Sequence, residues 1–305
     1  MRVVIAGGTG FLGTALADHL AARGDHIVIL TRQSPSRLPS RALTTYETWT
    51  PDGQTGSWAS ALDGADAVVN LSGESIAARR WSAAQKEKIR HSRLLATRSL
   101  TTAFRKAHRA PPVLVSGSAV GYYGDRGEET LTETSTPGRD FLAGVCSEWE
   151  AAARGADDLT RVVLIRTGIV LDRWGGALPQ MLPPFLMFAG GPLGSGRQYM
   201  PWVHKDDWVR LVGWILTNEA AQGPVNATAP HPVTNRDFSK ALGHALRRPS
   251  LLPVPGFAMK VALGEMAEAL LLGGQRALPV RASDLGFSFR FADVDAALAD
   301  VFRTR

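Results

Sequence analysis

The sequence VVIAGGTGFLG, residues 3–13, places glycines at positions 7, 10 and 13 directly after a run of apolar residues. Glycines in this spacing can form a tight turn or hold a phosphate, or they can cluster by chance in a chain with 31 glycines among 305 residues. The neighbouring elements separate these three interpretations, because a phosphate-binding turn of this type joins a buried strand to a helix.

Buried-strand and helix patterns alternate through the first half of the chain. The strand candidates are mostly continuous apolar runs, which is typical of parallel strands covered on both faces. They lie at 2–6, 26–31, 66–71, 112–116 and 161–166, with helical patterns between them at about 11–23, 57–63, 82–108 and 140–156. This alternation predicts an α/β fold of the Rossmann type, a doubly wound parallel sheet of about seven strands in the order 3-2-1-4-5-6-7.

Composition describes a folded protein without disulfides. At 305 residues and 45% hydrophobic, the chain has enough apolar surface for a full core. The single cysteine, Cys146, excludes an internal disulfide and a metal cage made of cysteines alone. Neither a secretory signal pattern nor an uninterrupted apolar span of membrane length is visible, so we expect a cytoplasmic protein with no membrane partner and no metal.

A basic run from Arg79 to Arg109 raises the hypothesis of a nucleic-acid contact, since it holds ten Lys or Arg residues and one acid, Glu87. The alternative is a helix whose charges form a solvated face. Residues 89, 96, 100, 103, 104 and 107 keep a helical apolar spacing, and no base-stacking aromatic pattern is interleaved with the charges. We therefore expect no nucleic-acid partner.

The glycine pattern has the context of a dinucleotide-binding turn, because it follows a strand, opens a helix and is followed by a second buried strand at 26–31. In such a turn Gly7 allows a sharp bend, Gly10 lets backbone N–H groups approach a pyrophosphate, and Gly13 lets the helix pack closely. The anion then lies at a helix N-terminus. We expect the cofactor to contact Gly7, Thr9, Gly10, Phe11, Leu12 and Gly13.

The residue at the end of the second strand distinguishes NAD from NADP. A ribose 2′-hydroxyl is usually held there by a carboxylate, whereas a 2′-phosphate needs a cation. The sequence ILTRQSPSR, residues 29–37, offers Arg32, with Arg37 nearby and no carboxylate between them. Because a guanidinium pairs well with phosphate, the predicted cofactor is NADP(H), with Arg32 at the 2′-phosphate.

The second half of the chain predicts a smaller lobe. Pro and Gly crowd 175–201, helical patterns lie at 205–219, 234–246, 257–272 and 293–303, and a short strand fits 225–228. We expect residues 1–170 to form the NADP-binding Rossmann domain, with later segments at about 200–230 returning to it. Residues 171–305 would form mainly a small C-terminal substrate lobe, and the active cleft would lie between the two parts.

Several further motifs carry a resemblance to a known family. They are VVNLSGESI (68–76), RRWSAAQKEKIRHSR (79–93), SGSAVGYYGDRG (116–127), GGPLGSGRQYMPWVHKDD (190–207) and GPVNATAP (223–230). Together with GGTGFLG and a C-terminal part that includes residues 255–298, they resemble the YfcH-like epimerase family. This family is an atypical branch of the extended short-chain dehydrogenases/reductases, and its small C-terminal extension would correspond to about 251–305.

The resemblance implies specific residues beside the cofactor and the substrate. Leu71 and Gly73, next to Asn70, would approach the cofactor from the end of the strand at 66–71, which is the fourth strand in the family. The substrate pocket would be lined by Glu74, Tyr122, Gln198, Trp202 and His204. For His204 an anchoring role in its loop is an equal alternative, Asp207 would fix that loop or cap the following helix, and Glu133 would hold a loop backbone.

The usual proton relay of this superfamily is missing. In most of its reductases a Tyr transfers the proton, a Lys four residues later lowers the pKa of that Tyr, and a Ser orients the substrate oxygen. Here the Tyr-x-x-x-Lys position falls in RDFLAGVCSEWE, residues 139–150, where neither possible register contains the pair. Ser118 stands at the expected place, and Tyr123 is the nearest candidate for proton transfer.

Three classes of function stay open at this point. The first is an NADP(H)-dependent oxidoreductase or epimerase acting on an unidentified small molecule, as a monomer or homodimer. The second is a non-catalytic NADP(H) sensor, favoured by the missing Tyr and Lys. The third, a nucleic-acid partner, has only the basic run in its favour.

Overall fold

The computed structural model of the protein describes residues 1–303. Its strands are β1 (Arg2–Ala6), β2 (His26–Thr31), β3 (Thr44–Thr48), β4 (Ala67–Asn70), β5 (Val113–Ala119), β6 (Thr130–Leu131), β7 (Arg161–Thr167), β8 (Ile169–Leu171), β9 (Tyr199–Met200), β10 (Trp202–His204), β11 (Gly223–Ala227), β12 (Val233–Thr234) and β13 (Arg276–Ala277). Its α-helices are α1 (Phe11–Ala22), α2 (Ala83–Lys106), α3 (Phe141–Arg154), α4 (Leu178–Leu186), α5 (Lys205–Thr217), α6 (Asn235–Leu246), α7 (Gly256–Leu263), α8 (Glu265–Ala267), α9 (Val280–Asp284) and α10 (Val294–Val301).

A seven-stranded sheet forms the centre of the fold, in the order β11-β7-β5-β4-β1-β2-β3, with every neighbouring pair parallel. The predicted order is therefore confirmed. Alternate residues of β1 enter different core clusters: Val3 and Ile5 pack with α1 and α5, whereas Val4 packs with α2 and α3. Both faces of the sheet are covered, which explains the continuous apolar runs.

The prediction missed the short strands β6, β8, β9, β10, β12 and β13 and the short helix α9, and it differs from the structure at four further elements. The edge strand β3 was missed, because its residues are half-buried or exposed and form no apolar run. The predicted helix at 57–63 is a short 3-10 turn at Ser57–Ala61. Helix α4 was missed because it carries Pro183 and Pro184, which are unfavourable in a helix interior. The predicted helix at 257–272 divides at Gly264, whose φ is +63°.

The second half of the chain contributes to both the sheet and a smaller lobe. Helix α5 packs on α1 and β11 forms the outer strand of the sheet beside β7. A separate apolar cluster, built largely on α6, α10 and the pair β9–β12, forms the core of the lobe. Strand β13 pairs with β6, so the C-terminal segment lies against the chain that follows β5. Among residues 1–303, no helix is long and apolar enough to cross a membrane.

Candidate functional site

The glycine-rich turn lies at the carboxyl end of β1, and its geometry requires glycine at two positions. Gly7 has a φ of +80°, and a Cβ there would lie 2.8 Å from the carbonyl oxygen of Leu71. A Cβ on Gly13 would overlap the carbonyl oxygen of Gly7. The first helix therefore approaches the turn as closely as the predicted roles of these glycines require.

The N-terminus of α1 is open to an acceptor. Gly10 is the N-cap residue and no side chain caps this helix, so the first-turn N–H groups keep the donor capacity that every helix start leaves unsatisfied. Thr9 and Gly10 are exposed, while Phe11 and Leu12 are half-buried. The ring of Phe11 packs directly against Gly175, in the segment between β8 and α4. A phosphate group fits this arrangement by charge and by hydrogen bonding.

Arg32 lies at the end of β2, on the side of the turn where an adenosine ribose is expected. Its side chain is exposed and, within residues 1–303, enters no ion pair or hydrogen bond. Arg41, farther along the chain, is instead paired with Asp18. The Arg32 guanidinium is consequently available for an anion.

The turn after β4 touches the glycine-rich turn. The Leu71 amide donates to the carbonyl oxygen of Ala6 at 2.8 Å. Asn70, fully buried, donates to the hydroxyl of Thr97 at 2.9 Å and accepts from the Ser72 amide at 3.2 Å. Gly73 follows, two residues from Leu71. The predicted cofactor residues of β1 and β4 are thus brought together at one edge of the sheet, where open α/β folds bind their ligands.

Ser118 belongs to a buried network that the sequence did not predict. Its hydroxyl donates to Glu150 of α3 at 2.7 Å. Glu150 is held by Arg166 of β7 through two hydrogen bonds of 2.8 and 2.9 Å, and both residues are buried. Burial opposes the charge of Arg166, yet the hydrogen bonds and charge of Glu150 raise its pKa. The polar end of Ser118 therefore faces this ion pair.

Tyr123 lies inside the same network and is 0% exposed. Its hydroxyl donates to the side-chain oxygen of Asn226 at 2.7 Å and accepts from Arg166 at 3.0 Å. Burial raises the pKa of Tyr123 to about 12, so the phenol is protonated at neutral pH. This geometry does not support the predicted proton transfer by Tyr123, because the hydroxyl is occupied on both sides and shielded from solvent.

Three of the predicted pocket residues are half-buried and make contacts of their own. Glu74 lies 3.3 Å from the Lys88 ammonium. The ring of Tyr122 lies 3.5 Å from the Arg166 guanidinium carbon. Gln198 donates to the carbonyl oxygens of Leu193 and Leu271 at 3.0 and 2.8 Å, which joins the substrate lobe to the C-terminal segment.

The other two predicted pocket residues are buried in the protein. Trp202 is 1% exposed and packs in the core of the lobe. His204 is the N-cap residue of α5, where Nδ1 accepts from the Asp206 amide at 3.1 Å, and its ring packs on Phe291. Burial lowers the pKa of His204. The anchoring alternative for His204 matches this geometry, and the substrate-contact alternative does not.

Two buried carboxylates have structural roles, but with other partners than expected. Asp207, 0% exposed, accepts from the amides of Arg290 and Phe291 at 2.9 and 2.8 Å, so it fixes the loop before α10 instead of its own loop. Glu133 accepts from the amides of Asn226 and Arg281 at 3.0 and 3.2 Å, so it joins β11 to α9 instead of holding a loop. Among residues 1–303, no group of three or more metal-ligating side chains is present.

Sequence reasoning missed Glu150, Arg166 and Asn226. For Arg166 a signal existed, since a charged residue inside the buried strand RVVLIRT requires a partner. Nothing in the sequence identified that partner, because Glu150 lies on the preceding helix and Asn226 on a strand that follows much later. The order of the strands in the sheet brings Glu150, Arg166 and Asn226 together.

Comparison with known proteins places this site in a family. The family model for the NAD dependent epimerase/dehydratase family matches residues 3–227, which include the glycine-rich turn after β1, the turn after β4 and Ser118. The chain belongs to this family. A second model, described as a domain of unknown function (DUF1731), matches residues 254–301 and covers the C-terminal extension. The resemblance derived from the motifs is confirmed.

Individual relatives cover the whole chain. An Arabidopsis thaliana protein, the chloroplastic homolog of epimerase family protein SDR39U1, is 43% identical over 99% of this chain and 87% of its own. The crystal structure of human epimerase family protein SDR39U1 with NADPH has a TM-score of 0.90 and 35% identity, covering 100% of both chains. A nucleoside-diphosphate sugar epimerase from Corynebacterium glutamicum has a TM-score of 0.78 and 34% identity, covering 99% of this chain and 58% of that one.

Proposed function

We propose that the protein binds NADP(H) across the carboxyl ends of β2, β1 and β4. The open N-terminus of α1 would hold the pyrophosphate, and the exposed Arg32 would pair with the 2′-phosphate. The NADPH in the human relative supports this choice of cofactor. When bound, a nicotinamide cofactor supplies or accepts a hydride.

We further propose that the protein is an oxidoreductase or epimerase acting on a small molecule. The observation that carries this proposal is the position of the second lobe. Two contacts bring the second half of the chain to the helices that follow the cofactor turns: Gly175 packs on Phe11 of α1, and Glu265 of the C-terminal segment pairs with Lys86 of α2. We propose that the substrate binds between these parts, beside the cofactor.

The geometry of Ser118 limits how it would meet a substrate. Its proton is committed to Glu150, so its oxygen is left with acceptor capacity. We therefore propose that Ser118 accepts a hydrogen bond from a hydroxyl of the substrate, which orients the carbon that carries that hydroxyl. Tyr123 and Arg166 would position the end of β5 without contacting the substrate.

A second candidate function is a non-catalytic NADP(H) sensor. The observation that favours it is the composition of α3, where the superfamily has its Tyr and Lys. In one register these two positions are Phe141 and Val145, and in the other they are Leu142 and Cys146. Tyr123, the phenol predicted to take the role that the superfamily gives to its tyrosine, is also buried.

The experiment that separates the two functions is a screen of hydroxy and oxo compounds, including sugar nucleotides, with saturating cofactor. An oxidoreductase changes the absorbance of NADPH at 340 nm, whereas an epimerase changes substrate configuration without net cofactor turnover, which NMR detects. We expect one of these signals, and we expect Ser118→Ala to lower it by about a hundredfold with unchanged cofactor affinity. Cofactor binding without either signal favours the sensor.

A further inference from the structure

Tyr122 and Tyr123 are neighbours in the 3-10 turn Val120–Tyr123, which follows β5, but their hydroxyls have different surroundings. The Tyr123 hydroxyl is bonded on both sides, and this residue is 0% exposed. Tyr122 is half-buried, and within residues 1–303 its hydroxyl has no hydrogen-bond partner and is reached by solvent. Of these two phenols, the one at Tyr122 is therefore able to meet a ligand.

The ring of Tyr122 is held from two sides although its hydroxyl is free. The guanidinium of Arg166 stacks on this ring, with its carbon 3.5 Å from the ring centroid. The ring of Tyr123 packs against it edge to face, with 5.4 Å between the two centroids. Arg166 is itself fixed by two hydrogen bonds to Glu150. A phenol held in this way is pre-organised to transfer a proton to a bound ligand.

Tyr122 and Ser118 are linked through the same buried ion pair. Ser118 donates its only hydroxyl proton to Glu150 at 2.7 Å, and Glu150 holds the guanidinium on which Tyr122 stacks. Ser118 can thus accept a hydrogen bond but has no proton to give to a substrate oxygen. Reduction of a carbonyl needs such a proton, so a second group at this site has to supply it.

The first turn of α3 lies directly against the turn that carries Tyr122. A Cβ on Gly121 would lie 3.3 Å from the Cβ of Leu142. Leu142 is one of the two positions at which the superfamily resemblance places the missing tyrosine, and its side chain has no proton to transfer. The residue after Gly121 brings a phenol to this part of the molecule from β5 instead of from α3.

We propose that Tyr122 is the proton donor of the reaction. During reduction the carbonyl carbon of the substrate gains the hydride that the cofactor supplies, the π electrons of the C=O bond move to its oxygen, and this oxygen takes the proton of the Tyr122 hydroxyl. The products are an alcohol and a phenolate, and the phenolate regains a proton from water. The new hydroxyl can then donate to Ser118. The inference rests on the proposed oxidoreductase or epimerase function and deepens it.

The first test measures turnover, at saturating NADPH, of the compound that gives the strongest signal in the screen of hydroxy and oxo compounds. Tyr122→Phe keeps the ring beside Arg166 and removes only the hydroxyl. We expect kcat to fall by about a hundredfold or more, with unchanged calorimetric affinity for NADPH and an unchanged midpoint of denaturant unfolding. Tyr46→Phe is the matched control and should keep its kcat, because Tyr46 lies on β3 and its hydroxyl donates to the carbonyl oxygen of Pro39.

A second measurement needs neither cofactor nor substrate. Tetranitromethane nitrates tyrosine rings that are open to solvent, and mass spectrometry of the peptides locates the product. In the native protein we expect nitration at the half-buried Tyr122 and none at the fully buried Tyr123. Nitration of Tyr123 without nitration of Tyr122 would overturn the inference.

Failure of this inference and failure of the proposed function give different results. An active parent protein with the same kcat in Tyr122→Phe would overturn the inference and leave the proposed function standing. A fall in kcat that is accompanied by a lower midpoint of unfolding would give Tyr122 a structural role and overturn the inference as well. If the parent turns over no screened compound, the proposed function fails, and the inference fails with it.

Discussion

Tyr123 shows at the scale of one residue how burial changes a functional interpretation. Its hydroxyl joins Asn226 to Arg166 inside the protein. We expect Tyr123→Phe to lower the free energy of unfolding by about 1–3 kcal/mol, because it leaves buried polar partners unsatisfied. Denaturant unfolding measures this loss, and calorimetry should show unchanged NADPH affinity. A hundredfold loss of turnover with unchanged stability would instead restore Tyr123 as the proton donor.

Glu150 and Arg166 form the strongest buried pair near the site. Glu150→Gln removes the carboxylate charge with little change in shape and leaves Arg166 uncompensated, so we expect a loss of about 3–5 kcal/mol in the free energy of unfolding. Glu148→Gln is the matched control on the same helix, where the carboxylate pairs with Arg90 at the surface. Its unfolding should be nearly unchanged. Equal losses in the two variants would contradict the importance of the buried pair.

Residues with a local role were predictable, whereas those with a partner far along the chain were not. Gly7 and Gly13 follow from the order of strand, turn and helix, because their conformation depends on the residues next to them. Ser118 was found by its place near the carboxyl end of β5, but its partner Glu150 lies 32 residues away on another element.

Helix α2 shows what hydropathy predicts at the scale of an element. Its apolar residues Leu100 and Phe104 are buried in a core cluster with residues of the sheet, and Ile89 on the same helix is also buried, as their spacing indicated. Several of its charges pair with acids, including Lys86 with Glu265 and Arg105 with Asp158. Two elements of the fold have sequences that are atypical of their structure. Strand β3 is a polar edge strand without an apolar run, and helix α4 contains prolines.

For the same helix we predict that its basic residues do not form a specific nucleic-acid site. Binding to duplex DNA or RNA at physiological salt should be no tighter than about 10⁻⁶ M and should weaken steeply as salt is raised. A fluorescence-anisotropy titration with and without NADPH measures this. Saturable binding at nanomolar concentration that competes with NADPH would contradict the prediction.

The whole molecule is held together by contacts between the sheet and the C-terminal segment. Asn226 of the outer strand donates to the carbonyl oxygen of Leu278 at 2.8 Å, and Gln275 donates to that of Gly124 at 3.0 Å. The C-terminal segment is therefore joined both to the outer strand of the sheet and to the chain that follows β5. This arrangement could not be read from the sequence, because strands β13 and β6 are two residues long and far apart in the chain.

Cofactor binding across the sheet should stabilise the whole molecule. A ligand at a hundred times its dissociation constant adds about 2.7 kcal/mol to the free energy of unfolding. We therefore expect the unfolding temperature to rise with the logarithm of the NADPH concentration above its dissociation constant, and Arg32→Ala to need a higher NADPH concentration for the same shift. Differential scanning calorimetry measures both, and an unfolding temperature independent of NADPH would contradict the proposed site.

The central claim is that the turn after β1 and Arg32 together select NADP(H), and titration calorimetry with NADPH and NADH tests it most directly. The parent protein should bind NADPH at least tenfold more tightly than NADH, since a charged hydrogen bond to phosphate contributes about 1.5–3 kcal/mol. Arg32→Ala should remove that preference while NADH affinity stays the same, and the control Arg98→Ala, at an exposed arginine of α2, should keep it. Equal affinity of the parent for both cofactors, or equal losses for both in Arg32→Ala, would contradict the claim.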